Sequence, residues 1–418
     1  MINCEFLNQV DSMKIITDTK YRYRLIVIII SLMLFFTHCV SPFDPEIEGE
    51  DRVLLVVDGS LIKGRETQII IISKTSPISQ PEYLPVENCN VKIMDNTGNE
   101  FIFNEESPGK YVANIDDAWL VYDKQYKLIF TTSSGDDYES YYQWLLETDP
   151  VDSLYGIYEN HYSPVTGKES NGGMQFYVDL GAPEDASRYY RWVLEETFEI
   201  HAENEIWGVY DGLSIKLFQP SDSLFRCWET KDVTGLYAAS TVNLSENRIK
   251  KIPLHFVQGN SPKLNFKYCA TVKQYALNAD AYDYWYQKER ELNESGNIYT
   301  IQPSQPISNI HNISNTDEKV MGFFWVASYA VKRVFVHIPS GPWVYGTCEY
   351  VGTYCESNDF NEISARIYSA LSKFADILPD PPIYIRLEQN TNYSIVITPQ
   401  CVDCRILGGE ARKPDFWE

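Results

Sequence analysis

From residue 53 onward the chain is written in short runs of Tyr, Phe, Val, Ile and Thr, broken every few residues by Gly, Asn, Asp or Pro. Branched and aromatic side chains suit the half-buried face of a pleated strand, and the breakers supply the turn geometries that join one strand to the next. Tyr alone occurs 30 times, whereas helical periodicity is scarce. The pattern predicts a mainly β protein whose aromatic faces are buried by packing sheets together.

Seven strands are expected in the first stretch, at residues 53–57, 66–73, 90–94, 100–103, 111–115, 126–131 and 138–145. The turns between them include Asp58-Gly59, Asp95-Asn96-Thr97-Gly98-Asn99 and Pro108-Gly109. That spacing is the rhythm of an immunoglobulin-like β-sandwich, assigned to residues 52–148. Oxygen-bearing side chains at alternate positions of 95–100 raise a calcium loop as an alternative. The segment lacks the length and the closing bidentate Glu of such a loop, so it is read as a hairpin turn.

Asp149-Pro150 opens a larger, mostly antiparallel β domain, residues 149–418, with one or two helices. Strands are expected at 174–180, 189–200, 239–244, 252–257 and 264–277. The clearest helix starts with Asn278 as N-cap and Asp280 in its first turn, and runs through Tyr282, Trp285 and Tyr286 to about Asn293. Its aromatic residues fall at i, i+3 and i+4, so one face should pack on a sheet; a sugar-stacking platform is the sharper alternative. Tyr189, Tyr190 and Trp192 are read as core and strand surface. The terminal Pro414-Asp415-Phe416-Trp417 should dock back onto the body, because an exposed Phe-Trp end would leave a large apolar patch.

The N-terminal part carries a different signal. Lys14, Lys20, Arg22 and Arg24 precede an apolar run, residues 25–36, that is too short to span a bilayer, and Cys39 follows it. Residues 1–39 therefore read as a lipoprotein signal peptide whose last residue, Cys39, accepts the acyl chains that hold the protein to the outer membrane. Glu5 and Asp11 suit a basic leader poorly, which makes Met13 a candidate start. His38 is bulkier than the small residues usual before such a cysteine, and an uncleaved anchor with Cys39 incidental is the alternative. Residues 40–51 form a flexible tether. Its acidic side chains, Asp44, Glu46, Glu48, Glu50 and Asp51, resemble tags that direct lipoproteins to the cell surface.

Without the 4 basic and 3 acidic residues of positions 1–39, 31 Lys and Arg stand against 55 Asp and Glu, a formal charge of −24. Such a surface repels nucleic acid, and no basic stripe overrides it. The six histidines are scattered singly, and neither a His-Glu-x-x-His motif, a Gly-x-Ser-x-Gly elbow nor a phosphate-cradling Gly-rich loop occurs. No metal, cofactor or catalytic residue is assigned. Paired carboxylates could serve a glycosidase, but nothing singles out one pair among so many.

Four cysteines, Cys348, Cys355, Cys401 and Cys404, fall as two close pairs and are read as structural. In an exported protein disulfides are the default, with three pairings open; a structural zinc is the alternative. Cys89, Cys227 and Cys269 lie in apolar strand contexts and are read as buried free thiols.

Several motifs occur in a recognisable order: Tyr189-Tyr190-Arg191-Trp192, Glu195-Glu196-Thr197, Cys227-Trp228, Gln274-Tyr275-Ala276-Leu277 leading to Tyr282 and Trp285, Gln302-Pro303, and Val320-Met321-Gly322-Phe323-Phe324. The tail adds Cys401-Val402-Asp403-Cys404, Gly408-Gly409 and Lys413-Pro414-Asp415-Phe416-Trp417. Across essentially the whole mature chain this order resembles an outer-membrane lipoprotein family of Bacteroidetes, domain-of-unknown-function family 4249. The resemblance implies a lipoprotein found beside TonB-dependent receptors, with no established enzyme activity and no active-site residues to carry over. The expected function is an accessory protein that binds a carbohydrate or peptide ligand or partners such a receptor in nutrient uptake. A hydrolase of an exported polymer and a purely structural envelope protein are the alternatives.

Overall fold

The first strand, Leu55–Lys63, sets the pattern for the sandwich that follows. Leu55, Val57 and Leu61 alternate into the core, and the residues between them face the other side of the sheet. The Asp58-Gly59 pair, expected to turn the chain, lies inside this strand. A Cβ on Gly59 would stand 3.1 Å from Ile70 Cδ1 and 3.2 Å from Phe324 Cδ2, so here the glycine serves close packing. The structure, a computed structural model, describes residues 53–77, 81–160, 172–220, 222–294, 308–337, 348–354, 359–387 and 392–418. Residues Val53–Glu418 form one compact unit. The segments read from sequence as a signal peptide and a tether, with Cys39, lie outside the described residues, as does Cys355.

All seven strands expected in the first stretch are present, the last of them divided into Asp137–Ser140 and Gln143–Trp144. Leu55–Lys63 pairs with Thr67–Lys74, which pairs with Lys110–Asn114, all antiparallel. The opposite sheet sets Asn90–Asp95 between Glu100–Ser107 and Gln125–Thr131. Glu100–Ser107 also pairs with Lys110–Asn114 through an irregularity between Glu105 and Ser107, so it links the two layers. Val57, Ile70, Val91, Tyr111, Leu128 and Phe130 fill the space between them, all fully buried.

The hairpin reading of residues 95–100 holds. Asp95 accepts hydrogen bonds from the backbone of Thr97 (2.8 Å) and Asn99 (2.9 Å) and from their side chains, and Lys124 Nζ lies 2.9 Å from its Oδ2. Burial alone would raise the Asp95 pKa, but these donors outweigh it and hold the carboxylate ionised well below the usual range. A lysine ammonium thus supplies the positive charge at the turn.

The strand Val320–His337, 18 residues long, joins the two halves of the molecule. Val320–Ser328 runs parallel to Leu55–Lys63 and places Val320, Phe324 and Val326 in the first core. Tyr329–His337 then pairs antiparallel with Lys267–Tyr275. One sheet therefore passes from the first stretch into the second across the 148/149 boundary drawn from sequence. Its continuation carries Lys267–Leu277, Tyr189–His201 and Arg226–Asp232. A three-stranded layer, Ser153–Glu159, Gly173–Gly181 and Arg248–Gln258, covers one face of it and encloses Val178, Leu180, Tyr190, Trp192 and Val272.

Helix α1, Ala279–Glu294, covers the other face near the chain's return. It starts as expected, with the Asn278 side-chain oxygen accepting from Ala281 N at 2.9 Å. A five-stranded sheet near the C-terminus packs on helix α2, Phe360–Lys373, capped by Asp359. The strand expected at 239–244 is shorter, Tyr237–Ser240, because Thr241 turns the chain and accepts from Leu244 N at 2.9 Å.

Candidate ligand site beneath helix α1

Alternation along Tyr189–His201 sends neighbouring side chains to opposite fates. Tyr190 and Trp192 point into the core under the three-stranded layer, where the Trp192 indole N–H donates to Gln274 Oε1 at 2.9 Å. Tyr189 and Arg191 face α1 instead. Tyr189 packs its ring on Tyr282, centroids 5.1 Å apart, and the Arg191 guanidinium lies 3.5 Å from the centre of the Trp285 ring and 5.2 Å from that of Trp325. Arg191 sits opposite Tyr275 in register, and Tyr275 opposite Tyr329, so the strand ladder lays an aromatic floor beside the arginine.

Two further charges converge from the first hairpin. Arg65 follows the tight turn after Leu55–Lys63 and donates from Nη1 to Ser60 Oγ at 3.2 Å, and its charge also acts on the Tyr275 hydroxyl. Asp58 faces the same side of the sheet and feels both Arg191 and Arg65. Its pKa is raised, chiefly by its crowded surroundings, with the two guanidiniums pulling the other way. Burial pulls Arg191 down to about 10, partly offset by Tyr275 and Asp58, so it remains cationic at neutral pH. Burial, followed by the Asp58 charge, pushes the Tyr284 phenol up to about 12.

Two buried donors in this group have no acceptor among the described residues: Arg191 Nε and Trp285 Nε1. Native interiors seldom leave such groups unpaired. A small cleft also opens between α1 and the sheet, lined by Tyr284, Gln287, Lys288 and Glu291 from the helix and by Val56, Met321 and Gly322 from the two parallel strands. The backbone approach there is close: Gly322 has φ +98°, and a Cβ on it would fall 1.9 Å from the Val57 carbonyl oxygen. Chemically, the group combines two guanidiniums, one carboxylate and a set of aromatic faces.

A second polar cluster is built around a buried carboxylate. Glu196, 4% exposed, is paired with Lys263 and accepts from Tyr268 Oη at 2.9 Å. The nearest His255 ring nitrogen stands 3.7 Å from it, beyond hydrogen-bond reach. Burial opposes ionisation of Glu196, yet its polar and cationic neighbours hold its pKa down to about 2. The cluster ties the short Pro262–Leu264 turn to the sheet.

One of the two disulfides departs from the sequence reading. Cys404 bonds to Cys227, which was expected to be a free buried thiol, and Cys348 bonds to Cys401. Cys269 is a buried free thiol, as expected, and Cys89 is free but only half-buried. Spacing misled because proximity in sequence says nothing about a strand and a turn brought together from 177 residues apart. A four-sulfur zinc site is thereby overturned, since Cys404 is committed to Cys227. Among the described residues the one grouping of metal-ligand types is Glu203, Cys348 and Cys401, and its two sulfurs are joined to each other.

Between the two disulfides, Asp403 receives Arg405 Nε at 3.0 Å, Arg405 Nη2 at 2.8 Å and Tyr384 Oη at 2.6 Å. The Cys-x-Asp-Cys motif is thus a knot of two covalent ties around a buried carboxylate. The terminal Trp417 docks as expected, 5% exposed, against Trp228, Cys269 and Phe335.

Tyr189, Tyr190 and Trp192 are core, as read. Sequence reading missed Arg191, Arg65 and Asp58. The available signal was a lone arginine in an aromatic strand, on the face a later aromatic helix would cover. No curated protein matches the chain. The strand, helix and return motifs that supply Arg191, Tyr275, Trp285 and Gly322 all lie within residues 40–333, over which the chain matches the model described as "Domain of unknown function (DUF4249)", and the protein belongs to that family.

Proposed function

We propose that this protein is a lipid-anchored accessory protein of the outer membrane that binds a small ligand, carbohydrate or peptide, in partnership with a TonB-dependent receptor during nutrient uptake. The observation that carries the binding reading is the group beneath α1, where Arg191 stacks on Trp285 with its Nε unpaired. Aromatic faces give contact area at low entropic cost, and a buried donor that the protein's own groups leave unpaired gains free energy from an acceptor. The anchoring reading rests on Cys39, placed after an apolar run and before an acidic tether that favours the cell surface.

Two measurements test these parts. Radiolabelled palmitate should enter the wild-type chain and fail to enter Cys39→Ala; equal labelling of both would refute the anchor. An affinity pull-down from detergent-solubilised membranes should recover a TonB-dependent receptor, and recovery of the protein alone would refute the partnership.

A further inference from the structure

We infer that the outer face of the first sandwich binds a neutral carbohydrate chain, whose sugar rings stack on Tyr141, Tyr142 and Trp144. None of these residues belongs to the group around Arg191, so the inference goes beyond the reading above.

A local irregularity builds the surface. Ser140 and Gln143 both point into the core, each 1% exposed, and two residues separate them where strict alternation would place one. The strand is interrupted there, and the extra residue leaves Tyr141 and Tyr142 both outside, 62% and 37% exposed. Trp144, opposite Gln125 in register, is 43% exposed. Contacts tie the rings to one face: Lys127 Nζ lies 5.2 Å from the centre of the Tyr142 ring and 2.5 Å from Glu139, Glu139 stands opposite His311, and the His311 ring lies 5.0 Å from that of Tyr141. Exposed apolar rings gathered on one face mark an interaction site, whereas scattered ones do not.

Charge selects the occupant. Glu139 neutralises Lys127, and Lys92 on the next strand is paired with Glu100 at 2.7 Å, so neither lysine leaves a surplus positive charge on this face of a chain whose net charge is −23. Nucleobases that stack on aromatic rings bring a phosphate backbone that requires a basic groove, and an acidic polysaccharide meets the same repulsion. A protein partner requires an apolar centre depleted of charge, whereas here the rings are interleaved with the Lys127–Glu139 pair. Neutral sugars match what remains. The C–H face of a pyranose lies on the electron-rich face of Tyr or Trp, and its hydroxyls reach the polar groups between the rings. Several rings on an open strip engage successive sugars of a chain.

Calorimetry on the detergent-solubilised full chain at constant ionic strength tests this. The probes are cellohexaose and maltohexaose as neutral chains, D-glucose as the single ring and tetragalacturonate as the acidic chain. One of the two hexasaccharides should bind saturably, with glucose and tetragalacturonate at least about 10-fold weaker. Trp144→Ala and Tyr142→Ala should each weaken the hexasaccharide by about 3- to 10-fold, the loss expected for one stacked ring. Changing Tyr141, Tyr142 and Trp144 together to Ala should abolish binding, and the single changes keep the test decisive if that variant does not fold. Tyr83→Ala, at a ring 61% exposed beside the opposite sheet, should leave affinity unchanged. Wild-type affinity in both Trp144→Ala and Tyr142→Ala would overturn the proposal, as would equally tight binding of tetragalacturonate or binding of no probe. Self-association in sedimentation that the triple change abolishes, without sugar binding, would assign the strip to a second copy of the chain and overturn it as well.

Discussion

Replacing Trp417 by Ala tests whether the chain's last residues are part of its core. The indole is 5% exposed and packs against Trp228 and Cys269, with Phe335 edge-on at 5.2 Å and 82°. Lys267 sits over both aromatic rings and also donates to the Glu418 backbone oxygen at 2.8 Å, which ties the end of the chain down. Truncating a buried Trp to Ala in a packed site costs about 3–5 kcal/mol. The edge-to-face contact with Phe335 supplies roughly 0.5–1.5 kcal/mol of that. Because the segment is terminal, it can relieve part of the cost by undocking, so removing residues 414–418 should destabilise by no more than the point change plus the lost Phe416 contacts. Urea unfolding followed by tryptophan fluorescence measures the first quantity, and the rate of carboxypeptidase trimming measures docking directly. A loss below about 1 kcal/mol together with unchanged trimming would refute the claim that this tail is core.

Gly322→Ala should be among the most damaging single changes in the molecule, since φ +98° disfavours any side chain and the new Cβ would meet the Val57 carbonyl. Strain alone predicts about 1–3 kcal/mol before the clash is counted, and soluble protein with wild-type thermal stability would contradict the pairing of the two parallel strands. Glu196, with its pKa lowered from 4.5 to about 2, contributes stability that is present above pH 4.5 and lost as pH falls through about 2. That shift bounds the contribution at ~3 kcal/mol. Glu196→Gln should flatten this part of the acid-unfolding profile, and identical profiles for the two proteins would refute the assignment. Non-reducing peptide mapping should find the Cys227–Cys404 and Cys348–Cys401 linkages, and a Cys348–Cys355 linkage would refute the pairing. Changing both Cys227 and Cys404 to Ser should cost about 2–5 kcal/mol by urea unfolding.

Much of the first half was legible because its information is local. The strand runs between 66 and 145 follow from alternation and turn residues, and the Asp95 hairpin from the self-capping chemistry of Asp, Thr and Asn in a tight turn. The start of α1 was legible for the same reason, since Asn278 can cap only the backbone next to it. Asp58-Gly59 was misread because a glycine that permits a turn and a glycine that makes room for Ile70 and Phe324 look identical in a one-dimensional string. The Cys227–Cys404 tie was invisible because no local rule links positions 177 residues apart.

The sequence by itself determined the kind of protein: a mainly β, strongly acidic chain with an apolar segment before Cys39, four cysteines near its end and a tail too aromatic to leave in water. Each of those follows from composition or short-range pattern, where a residue's own chemistry is enough. Only the tertiary structure decided that Val320–His337 completes one sandwich with its first half and carries the same sheet into the second region with its other half. That single pairing brings Trp325 to Arg191 and Trp285 under one helix, with Arg191 and Arg65 both acting electrostatically on Asp58. The physical reason is that a strand's backbone can pair with any edge of matching register, so the choice of edge is made by the side chains it buries there. Phe324 and Val326 on one face, and Phe323 and Trp325 on the other, find both of their cores at this one position in the sheet.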